Sequence, residues 1–385
     1  MAGPVFARDR TTWTLYVQLS VFGYFLYGFG PSVSLLGHDN ALSDGVAALH
    51  GTSFAIGAVA AGLTSAVVIR RLGRTRLQAL ALLLLVVGAF VYCLGVSLAA
   101  TLTGALVTGC AGNLVVNVTA AALADHHGAR ATTAISEANG VSSTVGVLAP
   151  FSLGLATLLG LGWRVGLLLV VPLALITVVW SHRVRLGPAA PVVVDPDRGA
   201  SANALPSAYW SAWWLFLLCA VVELSMTFWA SEHLRLHTGM SQPVATMTIT
   251  LMLVGIAAGR GVGAWLARRI TEDRLLLGSI SLNLAGFAAF WFASSPVVAG
   301  VGMALCGLGI AMQFPLTVSR AIARSGGKPD LALSRIAISE GIAAASGPFL
   351  LGLLAEHVSM HYAFLLVPAL LLVAAVLVGL HHKRV

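Results

Sequence analysis

Glu223 is the residue with the clearest potential for chemistry, because this acid lies inside a long apolar segment, WWLFLLCAVVELSMTFW. Ionisable groups at the depth of a membrane are costly, and those that occur there mark ion or substrate pathways. Glu223 follows Trp210 by about 13 residues, which is roughly 20 Å along a helix that rises 1.5 Å per residue. A carboxyl group in such low-dielectric surroundings can exchange a proton near neutral pH. The sequence therefore predicts a proton-exchanging carboxyl at Glu223, and a neutral or paired structural Glu is the alternative interpretation.

Polar side chains also recur at helical spacing in three other apolar segments, so that the members of each pair share one helix face. Their hydroxyl and amide groups could bind a solute that carries hydroxyl or amide groups. The alternative is that they form hydrogen bonds between packed helices. The candidate substrate-binding residues are Tyr24 and Tyr27, Asn113 and Asn117, and Gln313 and Thr317.

The elements that must position these groups are membrane-spanning helices. Of the 385 residues, 58% are hydrophobic and 9% are charged, and the mean hydropathy is +0.91. A soluble domain carries about 25% charged residues, so the composition excludes a soluble globular enzyme. Since each span needs roughly 20 apolar residues, the sequence predicts an all-α membrane protein with twelve transmembrane helices. They are placed near 12–37, 45–69, 77–97, 99–123, 131–158, 163–181, 208–234, 243–267, 275–293, 296–320, 332–355 and 360–380.

Positive charge is concentrated in alternate connections between these spans. If the N-terminus is cytoplasmic, all of the 22 Lys and Arg residues except Arg164, Arg235 and Arg260 lie in segments at the cytoplasmic side. Cytoplasmic loops of membrane proteins carry such an excess, so we expect both termini to be cytoplasmic in a multi-pass protein of the cell (inner) membrane. The net charge of +8 is then explained by topology and gives no reason to expect a nucleic-acid partner.

The chain is predicted to consist of two similar halves. Residues 182–207 are rich in Pro, Gly, Ser and charge without periodicity, as is typical of a linker. They separate a six-helix half at 1–181 from another at 208–385. One constant shift places Arg70-Arg71 on Arg268-Arg269 and Pro150-Phe151 on Pro348-Phe349. Two six-helix repeats with the substrate between them are one known transporter architecture.

Motifs of metal, cofactor and catalytic sites are missing from the sequence. It contains no HExxH, no CxxC and no Gly-rich phosphate-binding loop. Most histidines fall near the ends of spans, and the four cysteines have neither metal-ligand nor disulfide spacing. We therefore expect no enzyme, no cofactor, no metal and no use of ATP.

The connection between spans two and three reads AVVIRRLGRTR at 66–76. It resembles the loop signature of the major facilitator superfamily, GxxxDRxGRR. Arg71, Gly73 and Arg74 match this signature, whereas Ala66 and Arg70 replace the usual Gly and Asp. A weaker copy, ARRITEDR, follows at 267–274. The stretches NLVVNVTAAALADHHG at 113–128 and VGVLAPFSLG at 145–154 are similar to the sugar-porter-like branch.

The resemblance implies that spans 1, 4, 7 and 10 line a central cavity and that spans 2, 5, 8 and 11 form the seam between halves. It implies a secondary active transporter that moves a small organic solute by alternating access. Proton-coupled uptake by a symporter is the expected mode, with the small solute, protons and the lipid bilayer as partners and a monomer as the assembly. A proton-driven drug or metabolite exporter is the alternative, and a non-transporting membrane receptor is a further one.

Charged residues are the candidate gates of such a transporter. Because the usual Asp of the loop signature is missing, Asp125 at the end of span four is the expected partner of Arg71. Arg320 is the expected partner of Glu340 on span eleven.

A second charged pair is expected at the seam. Glu137 and Arg260 lie at similar depth on spans five and eight, which are neighbours in the resembled fold, so we expect them to pair. Arg335 occupies the position equivalent to Glu137 in the second repeat. The alternative for all these residues is static pairing that neutralises buried charge.

Overall fold

The computed structural model describes residues 8–181, 184, 186 and 205–382. This part of the chain is all-α, with no strand and one 3₁₀ turn at Gly128–Arg130. Its helices are α1 (Arg10–Asp39), α2 (Asp44–Leu72), α3 (Arg74–Leu94), α4 (Leu98–His127), α5 (Ala131–Gly146), α6 (Leu148–Leu158), α7 (Trp163–Leu168), α8 (Val170–Ser181), α9 (Ser207–Thr238), α10 (Gln242–Leu266), α11 (Glu272–Trp291), α12 (Pro296–Ile310), α13 (Gln313–Ala323), α14 (Pro329–Val358), α15 (Met360–Ala363) and α16 (Leu366–His382).

Twelve stretches of the described chain are long and apolar enough to cross a membrane. This confirms the predicted all-α membrane fold and its number of spans. Eight spans consist of one helix each, and the other four are formed by α5 with α6, α7 with α8, α12 with α13, and α15 with α16.

A proline lies close to the break in each of these four spans. Proline has no N–H to donate, and its ring clashes with the carbonyl group four residues earlier. That carbonyl group lies at or next to the break in each case. The four prolines are Pro150, Pro172, Pro315 and Pro368.

The chain divides into two compact units. The first unit comprises Met1–Phe29 and Ser53–Val192, and the second comprises Gly30–Thr52 and Val193–Val385. The sequence assigned 30–52 to the first half, whereas the structure packs this segment with the helices of the second unit. Most of the predicted linker at 182–207 lies outside the described residues.

Within each unit, glycines let two helices approach closely at equivalent places. A methyl group at Gly109 of α4 would overlap the carbonyl oxygen of Phe54 in α2. A methyl group at Gly307 of α12 would overlap the carbonyl oxygen of Met252 in α10. Both residues of the second contact lie at the shift that relates Arg70 to Arg268. The repeat seen in the sequence therefore corresponds to a repeated helix contact, in which small residues permit close packing as in other membrane helices.

Candidate functional site

In the second unit, α9 and α13 bring together three of the predicted site residues. Glu223, Gln313 and Thr317 line one small cavity, which Phe216 and Phe314 close with an edge-to-face contact at 5.3 Å. The three residues come from separate parts of the sequence and meet because Gln313 and Thr317 lie one turn apart on the face of α13 that packs against α9.

Gln313 has unused hydrogen-bonding capacity. Its side chain is 1% exposed, and among the described residues neither its amide oxygen nor its amide nitrogen has a hydrogen-bond partner. Thr317, by contrast, donates its hydroxyl to the backbone oxygen of Gln313 at 2.7 Å. Buried polar groups are almost always satisfied by protein or water. The Gln313 amide therefore offers a donor and an acceptor to a cavity of about 10 Å³, which is about the size that holds one water.

Glu223 belongs to a group of three charges within the second unit. It interacts electrostatically with Arg260 of α10 and with Glu340 of α14. Glu223 and Arg260 are half-buried, whereas the Glu340 side chain is accessible. Glu223 thus interacts both with a guanidinium and with a second carboxyl group. The group is neutral when one carboxyl is protonated and carries one negative charge when both are ionised.

In the first unit, the predicted tyrosines and asparagines do not all have free polar groups. Asn117 donates to the side-chain oxygen of Asn113 at 2.7 Å, and both side chains are half-buried. Tyr27 is half-buried too, and its hydroxyl lies 3.4 Å from that of Ser143. Asn113 and Asn117 keep the amide atoms that this bond does not use.

Tyr24 requires a correction. It is 4% exposed, and its hydroxyl bonds to that of Ser152 and donates to the carbonyl oxygen of Gly166 at 2.5 Å. The side chain therefore ties α1 to α6 and α7. The alternative interpretation of Tyr24, bonding between helices, describes it better than substrate binding.

The charged partner of Asp125 is Arg74, not Arg71. The guanidinium of Arg74 donates to the Asp125 carboxylate at 2.6 Å, and its side chain is 6% exposed. Arg74 is the first residue of α3, which packs along α4 and so reaches the carboxylate at the end of that helix. Arg71 ends α2 and is exposed.

Within the first unit the partner of Glu137 is Arg8, and the expected pair of Glu137 with Arg260 of the second unit stays a prediction. Arg8 donates two hydrogen bonds to the carboxylate, at 2.8 and 2.7 Å, and Tyr16 adds a third at 3.2 Å. These bonds stabilise the guanidinium and raise the pKa of Arg8 above its ordinary value. The residues just before α1 supply a cation that the sequence analysis did not consider for this role.

Arg320 pairs with the acids at the start of α11 rather than with Glu340. It contacts the carboxylate of Asp273, and that of Glu272 lies 3.8 Å from its Nε atom. Both acids belong to the weaker copy of the loop signature, so this contact is a second-unit counterpart of Arg74 with Asp125. Arg335 is exposed on α14, where its backbone oxygen accepts a hydrogen bond from the Trp213 indole at 2.8 Å.

One polar group of the second unit was missed by the sequence analysis. Glu232 of α9 accepts two hydrogen bonds from Arg235, at 2.6 and 3.1 Å, and one from Ser34 at 3.3 Å. His38 lies 3.5 Å from the same carboxylate. The spacing of Glu232 and Arg235 is a detectable signal of an ion pair on one helix. Their contacts with the end of α1 could not be read from sequence.

A comparison with family profiles decides the class of protein. The profile of the Major Facilitator Superfamily matches residues 15–329. The chain belongs to this superfamily. It is therefore a multi-pass membrane transporter and not an enzyme. A comparison with curated proteins gives no match.

Solved structures show the same superfamily fold. The chain is similar to the nucleoside transporter NupG, with a TM-score of 0.78 at 14% identity over 96% of this chain and 99% of that one. A bacterial homologue of the human lysosomal transporter Spinster gives 0.77 at 14%, covering 98% and 97%. A D-xylose-proton symporter gives 0.74 at 14%, covering 95% and 96%. At such low identity these similarities describe the fold and leave the substrate open.

Proposed function

We propose that this superfamily member takes up a small polar organic solute together with protons by alternating access. The observation that carries the proposal is the cluster of Glu223, Gln313 and Thr317 around one cavity, with Arg260 and Glu340 in electrostatic range of Glu223. A titratable carboxyl and an unpaired amide therefore line the same cavity. Binding of a proton and binding of a solute can then influence each other.

The proton role follows from the charges of the cluster. A single guanidinium cannot neutralise two carboxylates, and an uncompensated charge is costly in low-dielectric surroundings. The neutral cluster therefore holds one proton, which Glu223 and Glu340 share as a coupled pair. Water that reaches Glu223 in one conformation stabilises the ionised form, so the proton is released on that side of the membrane.

The solute class follows from the polar atoms that remain available. Gln313 offers a buried donor and a buried acceptor, and Asn113 and Asn117 keep the amide atoms that they do not use for each other. Hydroxyl and amide groups of a solute complement such atoms. Two proteins of similar fold, a nucleoside transporter and a D-xylose-proton symporter, support a polar solute and a coupled proton.

Gates are the remaining requirement of alternating access. We propose that Arg74 with Asp125 and Arg320 with Asp273 act at the cytoplasmic side. On the opposite side, the contact of Ser34 with Glu232 and the hydrogen bond from the Gly45 amide to Glu356, at 2.8 Å, are the proposed counterparts. The last two contacts join α1 to α9 and α2 to α14. Breaking these two contacts would free the end of α1 and the start of α2.

We propose cytoplasmic termini for this protein, in the cell (inner) membrane and as a monomer, because of the distribution of Lys and Arg. A drug or metabolite exporter of the same fold is the second candidate. The observation that favours it is the aromatic start of α9, where Trp210, Trp213 and Trp214 stack edge to face in sequence.

Reconstitution in proteoliposomes tests the proton role. Nucleosides and monosaccharides, D-xylose among them, serve as the first solutes. Glu223→Gln mimics the protonated acid, so we expect exchange of solute for solute to continue while accumulation driven by a pH gradient is lost. Asp39→Asn, at the exposed end of α1, is the matched control and should keep both activities. A Glu223→Gln variant that still accumulates solute when only a proton gradient is supplied would refute the assignment. Loss of both activities would indicate a structural role.

The direction of proton-driven movement separates uptake from export. In vesicles of known orientation, an inward proton gradient should drive the solute in the same direction as the protons. Movement of the solute in the direction opposite to the protons would refute uptake and support export.

A further inference from the structure

Three histidines of the second unit meet at one end of α9. His233 and His237 lie one helical turn apart near the end of α9, and His361 lies in α15. Their ring centroids are separated by 4.5 Å for His233 and His237, 4.4 Å for His237 and His361, and 5.3 Å for His233 and His361. Each ring offers one nitrogen that lies within 4.8 Å of the nitrogens of the other two.

The innermost of these rings has polar atoms with nothing to bond. His233 is 0% exposed, and among the described residues neither of its ring nitrogens has a hydrogen-bond partner. The Nδ1 atom of His361 is buried and lacks a partner in the same part of the chain. A neutral imidazole has one donor nitrogen and one acceptor nitrogen. Burying these atoms without hydrogen-bond partners is unfavourable. The rings stack nearly parallel, with interplanar angles of 17°, 25° and 9°, so one ligand satisfies these atoms together once the rings turn their nitrogens toward it.

Imidazole nitrogens are ligands for transition metals. Three histidines with one open position form a known type of zinc site, with Zn–N distances of about 2.0–2.1 Å. Imidazole also suits copper and nickel, whereas Mg²⁺ and Ca²⁺ prefer oxygen ligands. At tetrahedral angles those bond lengths require nitrogens about 3.3 Å apart. The observed nitrogens lie within 4.8 Å of one another, so metal binding requires the exposed His237 ring and the half-buried His361 ring to rotate toward the ion.

The surroundings of the three rings fit a metal site with one entrance. Phe290 and Phe364 pack against the His233 ring with centroids 4.6 and 5.1 Å away, and Trp291 stacks on His361 at 4.0 Å. These aromatic side chains cover the inner side of the cluster. Because His237 is exposed, an ion can enter from that side. The nearby carboxylate of Glu232 is already bonded to Arg235 and Ser34.

We propose that His233, His237 and His361 form a binding site for one divalent transition-metal ion of the zinc class. The ion joins the end of α9 to α15. Since all three ligands are neutral imidazoles, the bound ion keeps its positive charge, and its fourth position takes water or an anion. This site is separate from the proposed proton and solute site and does not depend on it.

Metal titration of the purified full-length transporter tests the site. After treatment with EDTA and its removal, ZnCl₂ is titrated into the protein by calorimetry, and X-ray absorption reports the ligands of the bound ion. We expect one Zn²⁺ per chain, with nitrogen ligands at about 2.0–2.1 Å and an increased melting temperature. MgCl₂ at the same concentration should produce neither effect.

Single substitutions make the test specific. His237→Ala and His361→Ala should each weaken Zn²⁺ binding by at least about tenfold, since changes even in residues that only support metal ligands cost 10–100-fold. His357→Ala is the matched control, because this exposed histidine of α14 bonds only its own helix in the described structure, and its Zn²⁺ affinity should equal that of the parent protein. Since His237 is exposed, His237→Ala should fold and elute as a monodisperse protein. Unchanged Zn²⁺ affinity in folded His237→Ala, or an absence of saturable binding in the parent protein, would refute the site and leave the three rings as packing.

Discussion

The pairing of Arg74 with Asp125 makes a prediction that separates two possible inner gates. The sequence favoured Arg71 as the partner of Asp125, whereas the structure shows Arg74, with 2.6 Å between the charged groups. Asp125→Asn and Arg74→Gln should each destabilise the transporter, because each leaves the opposite charge without its partner. Arg71→Gln is the matched control and removes the same charge from the end of α2.

The expected magnitude follows from the exposure of the two side chains. Fully exposed pairs contribute about 0.2–1 kcal/mol, and removing one member of a fully buried pair costs about 3–5 kcal/mol. Arg74 is 6% exposed and Asp125 is 44% exposed, which places this pair between those limits. We therefore expect a coupling free energy of about 1–2 kcal/mol between Arg74 and Asp125. Arg71→Gln should change stability by less than about 0.5 kcal/mol, as is usual for exposed positions.

A double-mutant cycle measures this coupling directly. Unfolding of the purified protein by SDS in mixed micelles gives the free energy for the parent, both single variants and the double variant. A parallel cycle is measured with Arg71 and Asp125. The charge-exchanged protein, with Arg74→Asp and Asp125→Arg, should recover part of the loss. A larger coupling for Arg71 with Asp125 than for Arg74 with Asp125 would refute the structural assignment.

Three further predictions concern packing and topology. Tyr24→Phe should lower stability by about 1–2 kcal/mol, because it removes the two hydrogen bonds of the buried hydroxyl. It should leave the apparent KM for solute unchanged, and a raised KM would restore Tyr24 to the solute site. Gly307→Val should destabilise the protein by about 1–3 kcal/mol, because the larger side chain overpacks α10 against α12. Gly261→Val, on an open face of α10, should not destabilise it. Similar melting temperatures for the two variants would contradict the close contact. A cysteine introduced by Ser201→Cys should resist a membrane-impermeant thiol reagent in intact cells, and labelling without permeabilisation would place the 182–207 segment outside.

The fold was predictable from sequence because helices that cross a bilayer must consist mainly of apolar residues. A helix in lipid needs roughly 20 apolar residues, so hydropathy locates the spans without knowledge of their contacts. The breaks near Pro150, Pro172, Pro315 and Pro368 do not follow from proline alone, because Pro31 and Pro348 lie inside the uninterrupted helices α1 and α14. The repeat is detectable because the glycines at the two close helix contacts, Gly109 and Gly307, recur at the constant shift that relates the halves.

The charged partners were not predictable, because they depend on how each helix is rotated and where its end lies. Arg71 and Arg74 are three residues apart, yet the first ends α2 and the second begins α3. The carboxylate of Glu137 is within reach of Arg8, which precedes the first span and has no apolar context to mark it. The three histidines show the same limitation. His233 and His237 share a helix face, but nothing in the sequence indicates that His361 joins them.

The position of Glu223 explains why it, rather than Glu340, is the better candidate for coupling a proton to a solute. The group of Glu223, Glu340 and Arg260 contains two acids and one base, so a proton on either acid makes its net charge zero. Only Glu223 also lines the cavity that contains the unpaired amide of Gln313. A change in its protonation alters the hydrogen-bonding surface that a solute meets, since an ionised carboxyl only accepts and a protonated one also donates. Glu340 changes the total charge of the cluster without lining that cavity. Coupling requires that one ligand changes the affinity for the other, and we therefore expect Glu223 rather than Glu340 to supply it.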